Sequence, residues 1–388
     1  MKTSKEPTAA AGLAASSSPV LHVGAPNVGD RSLFLDYAAQ ILDRGWLTNN
    51  GPLVQEFEQR VAAYAGVKHC VATCNGTVAL EIAIRAMGLK GEVILPSYTF
   101  IATAHAVQSQ NLTPVFADID PATHQLDPES VARCITPETS AILGVHLWGQ
   151  ACPVQPLQAL AARHGLQLFF DAAHAFGCSS GGEMIGGFGR AEVFSFHATK
   201  FFNSFEGGAI VTNDDDLAEA ARLIRNFGFS GLDQVVHLGT NGKMVEICAA
   251  MGLTNFASID SFIAGNRRNY LAYRAALAGV AGINVLPYNE AERTNYQYIV
   301  LEVGPESAAT RDEIVDALRA ANILARRYFW PGCHRMQPYA TLYPDTADRL
   351  PNTALVASRV IVLPTGISVT VEHIDAIAER IRRLATGA

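Results

Sequence analysis

The chain has 388 residues, 49% of them hydrophobic and 17% charged, which is apolar material enough for a large core in two or three domains. A net charge of -7 with scattered Lys and Arg leaves no basic stripe, which excludes docking onto a nucleic-acid backbone or an anionic membrane and points to small-molecule partners. The seven cysteines, Cys70, Cys74, Cys134, Cys152, Cys178, Cys248 and Cys333, form no CxxC pair and no zinc spacing. They read as reduced thiols of a cytoplasmic protein, and no stretch reaches the roughly 18 apolar residues that a membrane helix needs.

Residues 1–20 hold a weak Ala/Leu run that ends in three serines, and a disordered tail is expected there. From 21 to 265, short β-rich runs alternate with helix-period segments. The runs are Val93–Leu95, Val115–Phe116, Ala141–Val145, Leu168–Phe170, Val193–Phe196 and Ala209–Val211, and the helical segments include Val78–Met87, Val154–His164 and Leu217–Phe227. That alternation predicts an α/β fold, a doubly wound and mostly parallel sheet covered on both faces, with ligands at the carboxyl ends of its strands. One long helical segment is expected over Met244–Leu277. Beyond 265 a strand (Tyr298–Glu302), a helix (Arg311–Ala321), a Tyr/Pro-rich loop (Tyr328–Tyr343), a strand (Val360–Leu363) and a last helix (Glu372–Leu384) predict a smaller C-terminal α/β domain over 266–388.

The chemistry is expected in loops that follow strands. Lys200 closes the segment Phe194-Ser195-Phe196-His197-Ala198-Thr199-Lys200 and precedes two phenylalanines. An amine among aromatic residues has few water partners, so its charged form is disfavoured and it can act as a carbonyl-trapping nucleophile. A lysine that snorkels to solvent is the plainer alternative. In Leu168-Phe169-Phe170-Asp171-Ala172-Ala173-His174 an apolar strand delivers an acid at its carboxyl end, where Asp171 can hold a ring nitrogen protonated and His174 can bond a ring substituent. A helix cap is the rival for Asp171, and it is the reading taken for Asp118 and Asp120. Asp171 and His174 lack a third ligand, so no metal is expected. Asn75-Gly76-Thr77 opens an apolar-periodic helix whose first amides make a ready phosphate site. No Walker loop and no GxGxxG in a strand-to-helix context occurs.

Six ordered segments carry a resemblance: Gly45-Trp46-Leu47-Thr48-Asn49-Asn50-Gly51-Pro52, Cys74-Asn75-Gly76-Thr77, Pro96-Ser97-Tyr98-Thr99-Phe100, Asp171-Ala172-Ala173-His174, Ser195-Phe196-His197-Ala198-Thr199-Lys200 and Asn241-Gly242-Lys243-Met244-Val245-Glu246-Ile247. Together they resemble the DegT/DnrJ/EryC1/StrS family of sugar aminotransferases, fold-type I enzymes that depend on pyridoxal 5'-phosphate (PLP), from about Trp46 to the C-terminus. The resemblance implies Lys200 as the Schiff-base lysine, Asp171 on the pyridine nitrogen, His174 near the ring oxygen and Phe100 stacked on the ring. It implies Gly76, Thr77 and Ser195 around the phosphate, and Asn241 reaching that phosphate from the neighbouring subunit of a homodimer. Thr48, Asn49, Lys243, Arg327 and Tyr328 fall among the sugar-nucleotide contacts. Cys74 stands where Ser is commoner and Lys243 where many members have Arg. The pair Asn241-Gly242-Lys243-Met244 and Ala325-Arg326-Arg327-Tyr328-Phe329 looks most like the viosamine-type enzymes. These would move an amino group from L-glutamate to C4 of a nucleotide-linked 4-keto-6-deoxyhexose, carried by dTDP. The alternatives within the superfamily are C3-keto sugar and cyclitol aminotransferases, and PLP-dependent sugar dehydratases, which carry His in place of the Schiff-base lysine.

Overall fold

The computed structural model describes residues 20–388, so the expected tail up to residue 19 lies outside the described residues. Seven strands, β1 (His69–Thr73), β2 (Glu92–Pro96), β3 (Thr113–Ala117), β4 (Thr139–Val145), β5 (Gln167–Asp171), β6 (Glu192–Ser195) and β7 (Gly208–Thr212), build one sheet in the order β1-β7-β6-β5-β4-β2-β3. All its pairings are parallel except those of β7, which runs against both neighbours.

Alternate side chains along these strands enter two different cores, as the period of two requires. Val71, Val93, Leu95, Leu143, Phe169, Val193 and Ile210 pack with α3 (Gly76–Ala86), α4 (Ile101–Ser109) and α7 (Asp215–Arg225). On the other face Cys70, Ala72, Ala209 and Val211 share a core with α1 (Arg31–Arg44), α2 (Pro52–Ala65) and α8 (Glu246–Phe256), while Ile94, Ile142, Leu168 and Phe170 meet α5 (Pro128–Cys134) and α6 (Val154–His164). Burial on both faces is why these strands read as near-continuous aliphatic runs. The expected single helix over Met244–Leu277 is two: α8 ends at Phe256, and α9 (Ile259–Ala276) leaves it at 64°. At the break, buried Asn255 accepts the Gly29 N–H (2.8 Å) and donates to the Asn203 carbonyl (2.8 Å), contacts with distant segments that fix where α8 stops. Among the described residues no single helix is long and apolar enough to cross a membrane.

A second sheet of three antiparallel strands, β8 (Ile283–Val285), β9 (Ile299–Val303) and β10 (Val360–Leu363), has β9 at its centre. One face of it packs Ile299, Leu301, Val303, Ile361 and Leu363 against α9, α10 (Arg311–Ala320) and the last helix, Val371–Thr386. The other face sends Tyr298, Val300, Val360 and Val362 to meet Tyr98, Val145, Leu147 and Trp148 from the ends of the large sheet. This seam is where the candidate site lies.

Two polar ties hold the segments that frame the seam. Asn27, buried, donates to the Phe201 carbonyl (2.8 Å), accepts the Ile367 N–H (3.3 Å) on its side-chain oxygen, and offers its own carbonyl to Asn203 (2.8 Å). Glu246, fully buried at the start of α8, accepts the Leu53 and Val54 N–H groups at 3.1 and 2.9 Å and so caps α2 from outside its own chain segment. Gly51 is required there, since a Cβ would sit 2.5 Å from the Glu246 carboxyl carbon. Glu246→Ala leaves two buried amides without an acceptor and is expected to cost about 2 kcal/mol, seen as an earlier midpoint in urea unfolding. An unchanged midpoint would show that α2 needs no such cap.

Candidate active site

The carboxyl ends of β1, β4, β5 and β6 and the small sheet enclose a cavity of about 580 Å³. Lys200 enters it from the turn after β6, its Nζ 3.4 Å from Tyr298 Oη. Burial disfavours the ammonium and the Asp171 carboxylate partly restores it, which leaves the amine pushed down to about 8. Asp171, the last residue of β5, is held on its own side of the cavity. Its Oδ2 accepts from Thr103 Oγ1 (2.8 Å), which is also 2.9 Å from Thr99 Oγ1, and its Oδ1 accepts the Ala173 N–H (3.1 Å). Burial raises its pKa, while Thr103, Ala173 and Lys200 act in the opposite direction. His174 packs between Tyr298 and Trp148, and burial, with Lys200 nearby, drives its pKa well below the usual range, so the ring is neutral. Asp118 instead bonds the Asn352 and Thr353 N–H groups (3.0 and 2.8 Å) and so caps the distant helix Pro351–Arg359, whereas Asp120 bonds those of Ala122 and Thr123 (2.7 and 2.9 Å) within a turn that leads into no helix, so the helix-cap reading holds for Asp118 and not for Asp120.

At the opposite wall α3 begins. Asn75 Oδ1 caps Val78 N at 2.9 Å, and the N–H groups of Gly76 and Thr77 find no acceptor among the described residues. A Cβ on Gly76 would come within 3.0 Å of the Ser195 Cβ, so the glycine keeps open a cradle between the helix start and the end of β6. Phe100, largely exposed, precedes α4 and forms a further wall with Tyr328 and Phe329.

The structure therefore brings together Gly76, Thr77, Phe100, Asp171, His174, Ser195, Lys200 and Tyr328. The other expected residues lie outside this lining. Arg327 turns away to Asp312 (2.8 Å) and Asp316 (2.6 Å) of α10, and it is Arg326, stacked over the Tyr328 ring at 5.0 Å, that lines the cavity. Asn241 is exposed and bridged to Asn226, and Lys243 sits 4.5 Å over the Phe227 ring. Thr48 and Asn49 belong to an exposed segment in which Asn49 and Asn50 have left-handed backbone (φ 62 and 59). Sequence reading missed Thr103 and Tyr298; each shows only as a polar position in an apolar helix or strand, and tertiary contact alone gives it a partner.

A family model for the DegT/DnrJ/EryC1/StrS aminotransferases matches residues 30–382. The chain belongs to this family. It is 36% identical over 364 residues to the dTDP-4-amino-4,6-dideoxy-D-glucose transaminase of Shigella dysenteriae, a match that covers 94% of this chain and 99% of the relative. It is 37% identical over 335 residues to a GDP-perosamine synthase of Caulobacter vibrioides, with 85% and 90% covered. Its fold superposes with a TM-score of 0.89 on DesI, a structure determined in the presence of its TDP-sugar product, at 47% identity and with 95% of this chain and 93% of that one covered.

The protein is thus a PLP-dependent aminotransferase of fold type I. The cavity fits the cofactor on its own terms. It offers a desolvated amine, a buried carboxylate across from it, and unpaired helix amides beside an opening that a single methyl group would fill.

With the lysine pushed down to about 8, roughly a tenth of it is neutral at pH 7, against well under a thousandth for an ordinary lysine titrating near 10.4. In the cofactor-free protein, acetylation of Lys200 by acetic anhydride, followed by peptide mass, is expected to rise with pH through a midpoint near 8. A midpoint near 10 would remove the desolvated-amine reading.

Proposed function

We propose that this enzyme moves the amino group of L-glutamate to C4 of a nucleotide-linked 4-keto-6-deoxyhexose, with dTDP-4-keto-6-deoxyglucose as substrate. The observation that carries the chemistry is the neutral-leaning amine of Lys200 facing the buried carboxylate of Asp171 across one cavity. The sugar position and the nucleotide draw support from the Shigella dysenteriae relative, named for a dTDP-linked 4-amino-4,6-dideoxy sugar, and from DesI with its TDP-sugar product.

Bound PLP supplies an electron-poor ring that takes up the electrons released when the Cα–H bond of the donor breaks. The chain's residues do the rest. Lys200 holds the cofactor covalently at rest, then serves as the base that removes the donor's Cα proton and returns a proton to the acceptor carbon. Asp171 keeps the pyridine nitrogen protonated, held in place by Thr103 and the Ala173 amide. Gly76, Thr77 and Ser195 would hold the phosphate, Phe100 would pack against the ring, and His174 would donate to the ring oxygen. Arg326 pairs with the substrate diphosphate, since Arg327 is already neutralised by two carboxylates, and Tyr328 and Phe329 form the apolar wall for the deoxy methyl group.

The working unit in this reading is a cytoplasmic homodimer with shared sites. Leu232 and Leu238, 94% and 82% exposed, lie in the segment that leads to Asn241, and exposed Trp46 and Leu47 lie in a second segment joined to it where Glu246 N–H donates to the Leu47 carbonyl at 3.1 Å. A soluble chain gains by covering such apolar surface, and doing so with a second copy would bring Asn241, Thr48, Asn49 and Lys243 to the partner's cavity.

Incubation with glutamate and dTDP-4-keto-6-deoxyglucose is expected to yield dTDP-4-amino-4,6-dideoxyglucose, with the rate down roughly a hundredfold in Asp171→Asn. Amination of only a 3-keto isomer or a free cyclitol ketone would refute the substrate and leave the Lys200 chemistry standing. Mixing Asn241→Asp subunits with Lys200→Ala subunits tests sharing. Some heterodimers should recover one intact site, whereas heterodimers that form without any activity would place Asn241 outside the site.

A further inference from the structure

Behind His174 lies a chain of polar contacts that the proposed reaction does not use. Trp148, in the turn after β4, is fully buried and has left-handed backbone (φ 61, ψ 14), a conformation that a bulky residue keeps only when its surroundings hold it there. Its backbone N–H points at His174 Nδ1, 3.4 Å away, and its indole N–H donates to His124 Nδ1 at 3.2 Å. His124, itself buried, reaches Glu302 Oε1 of β9 with Nε2 at 2.8 Å. Neighbouring Gln125 braces the same turn, donating to the Leu147 carbonyl at 3.1 Å.

The direction of each bond follows from what the groups can do. An indole N–H is only a donor, so His124 accepts on Nδ1 and gives its Nε2 proton to the Glu302 carboxylate. A backbone N–H is likewise only a donor, so His174 Nδ1 must present a lone pair. A neutral imidazole carries one proton, and the depressed pKa of His174 makes its ring neutral. That proton then sits on Nε2, which takes no protein partner among the described residues, while the ring as a whole lines the cavity. The ring cannot easily swing away. Its own carbonyl is tied to Asn295 Nδ2 (2.9 Å), and its faces are packed by Trp148 and Tyr298 with centroids 5.9 and 4.5 Å away.

We infer that Glu302, His124 and Trp148 are positioning residues that fix His174 as the Nε2–H tautomer, so that a hydrogen-bond donor meets the oxygen substituent of the cofactor ring. The inference rests on the proposed placement of His174 beside that ring. An oxygen there is anionic when ionised, and a locked donor favours the anion where a mobile or reversed imidazole would not. Glu302 acts from the small sheet and His124 from the loop after β3, so the orientation of one active-site ring depends on the two sheets being docked.

Full-length holoenzyme labelled with ¹⁵N-histidine reports the tautomer directly, the His174 signals being assigned by their loss in His174→Gln. The wild-type enzyme is expected to show a protonated Nε2 and an unprotonated Nδ1. In Trp148→Phe and in Glu302→Ala the two tautomers should mix and kcat should fall roughly tenfold, with the KM for glutamate changed less than twofold. Glu302→Gln, which keeps an acceptor for His124, should restore both. Glu302→Ala removes a partly exposed side chain and no core volume, so it remains informative if Trp148→Phe does not fold. A wild-type proton on Nδ1, a pure Nε2–H signal in both variants, or mixed tautomers with an unchanged kcat would each overturn the inference. Failure of every nucleotide-linked ketone as acceptor, with the tautomer pattern intact, would sink the proposed substrate alone.

Discussion

The whole site depends on an amine and a carboxylate that share one cavity without cancelling each other. If Asp171 lay against Lys200 it would hold the lysine proton and the nucleophile would be lost; with no Asp171 there would be nothing to charge a ring nitrogen. The fold separates them by placing them on the ends of adjacent parallel strands. Asp171 ends β5 and is tied back to α4 through Thr103, while Lys200 comes from the turn beyond β6 and leans towards Tyr298 of the small sheet. Desolvation is then free to lower the lysine while the carboxylate stays anchored.

The roof over this cavity is as firmly built as its floor. The loop that holds Tyr328 and Phe329 is fastened at its far end, where Ser97 Oγ meets His334 Nδ1 at 2.6 Å and the Cys333 N–H donates to the Ser97 carbonyl at 2.9 Å. Tyr98 Oη donates to the Tyr328 carbonyl at 2.6 Å. Three successive residues from Ser97 to Thr99 thus link the end of β2 both to the roof and, through Thr99 and Thr103, to the carboxylate below.

Much of this was legible in the residues because the chemistry sits where strands end. A strand buried on both faces leaves an aliphatic run, and a lone acid or lysine that closes such a run stands out, as Asp171 does after Leu168-Phe169-Phe170. Other features left no local trace. β1 has only Cys70, Val71 and Ala72 between polar ends, too short a run to separate from a loop. The break between α8 and α9 carries neither Gly nor Pro and exists because Asn255 answers to residues far away in sequence. Arg326 and Arg327 are indistinguishable as adjacent letters; the carboxylates of α10 decide which one turns outward and leaves the other at the cavity. Tautomers and second partners, as at His174, depend on tertiary contact and are invisible to any periodicity.

The tie made by Asn27 has a consequence for how the protein comes into being. Asn27 clasps the carbonyl of Phe201, the residue after the lysine, and at the same time receives the amide of Ile367, 340 positions further on. Translation delivers the lysine turn long before it delivers Ile367, so during synthesis that turn is flanked by an incomplete clasp. Closing so long a loop is slow and comes late in folding. A nascent or prematurely terminated chain therefore carries the lysine turn with the Ile367 half of this clasp missing, and the clasp is complete only once the last stretch of polypeptide has been made.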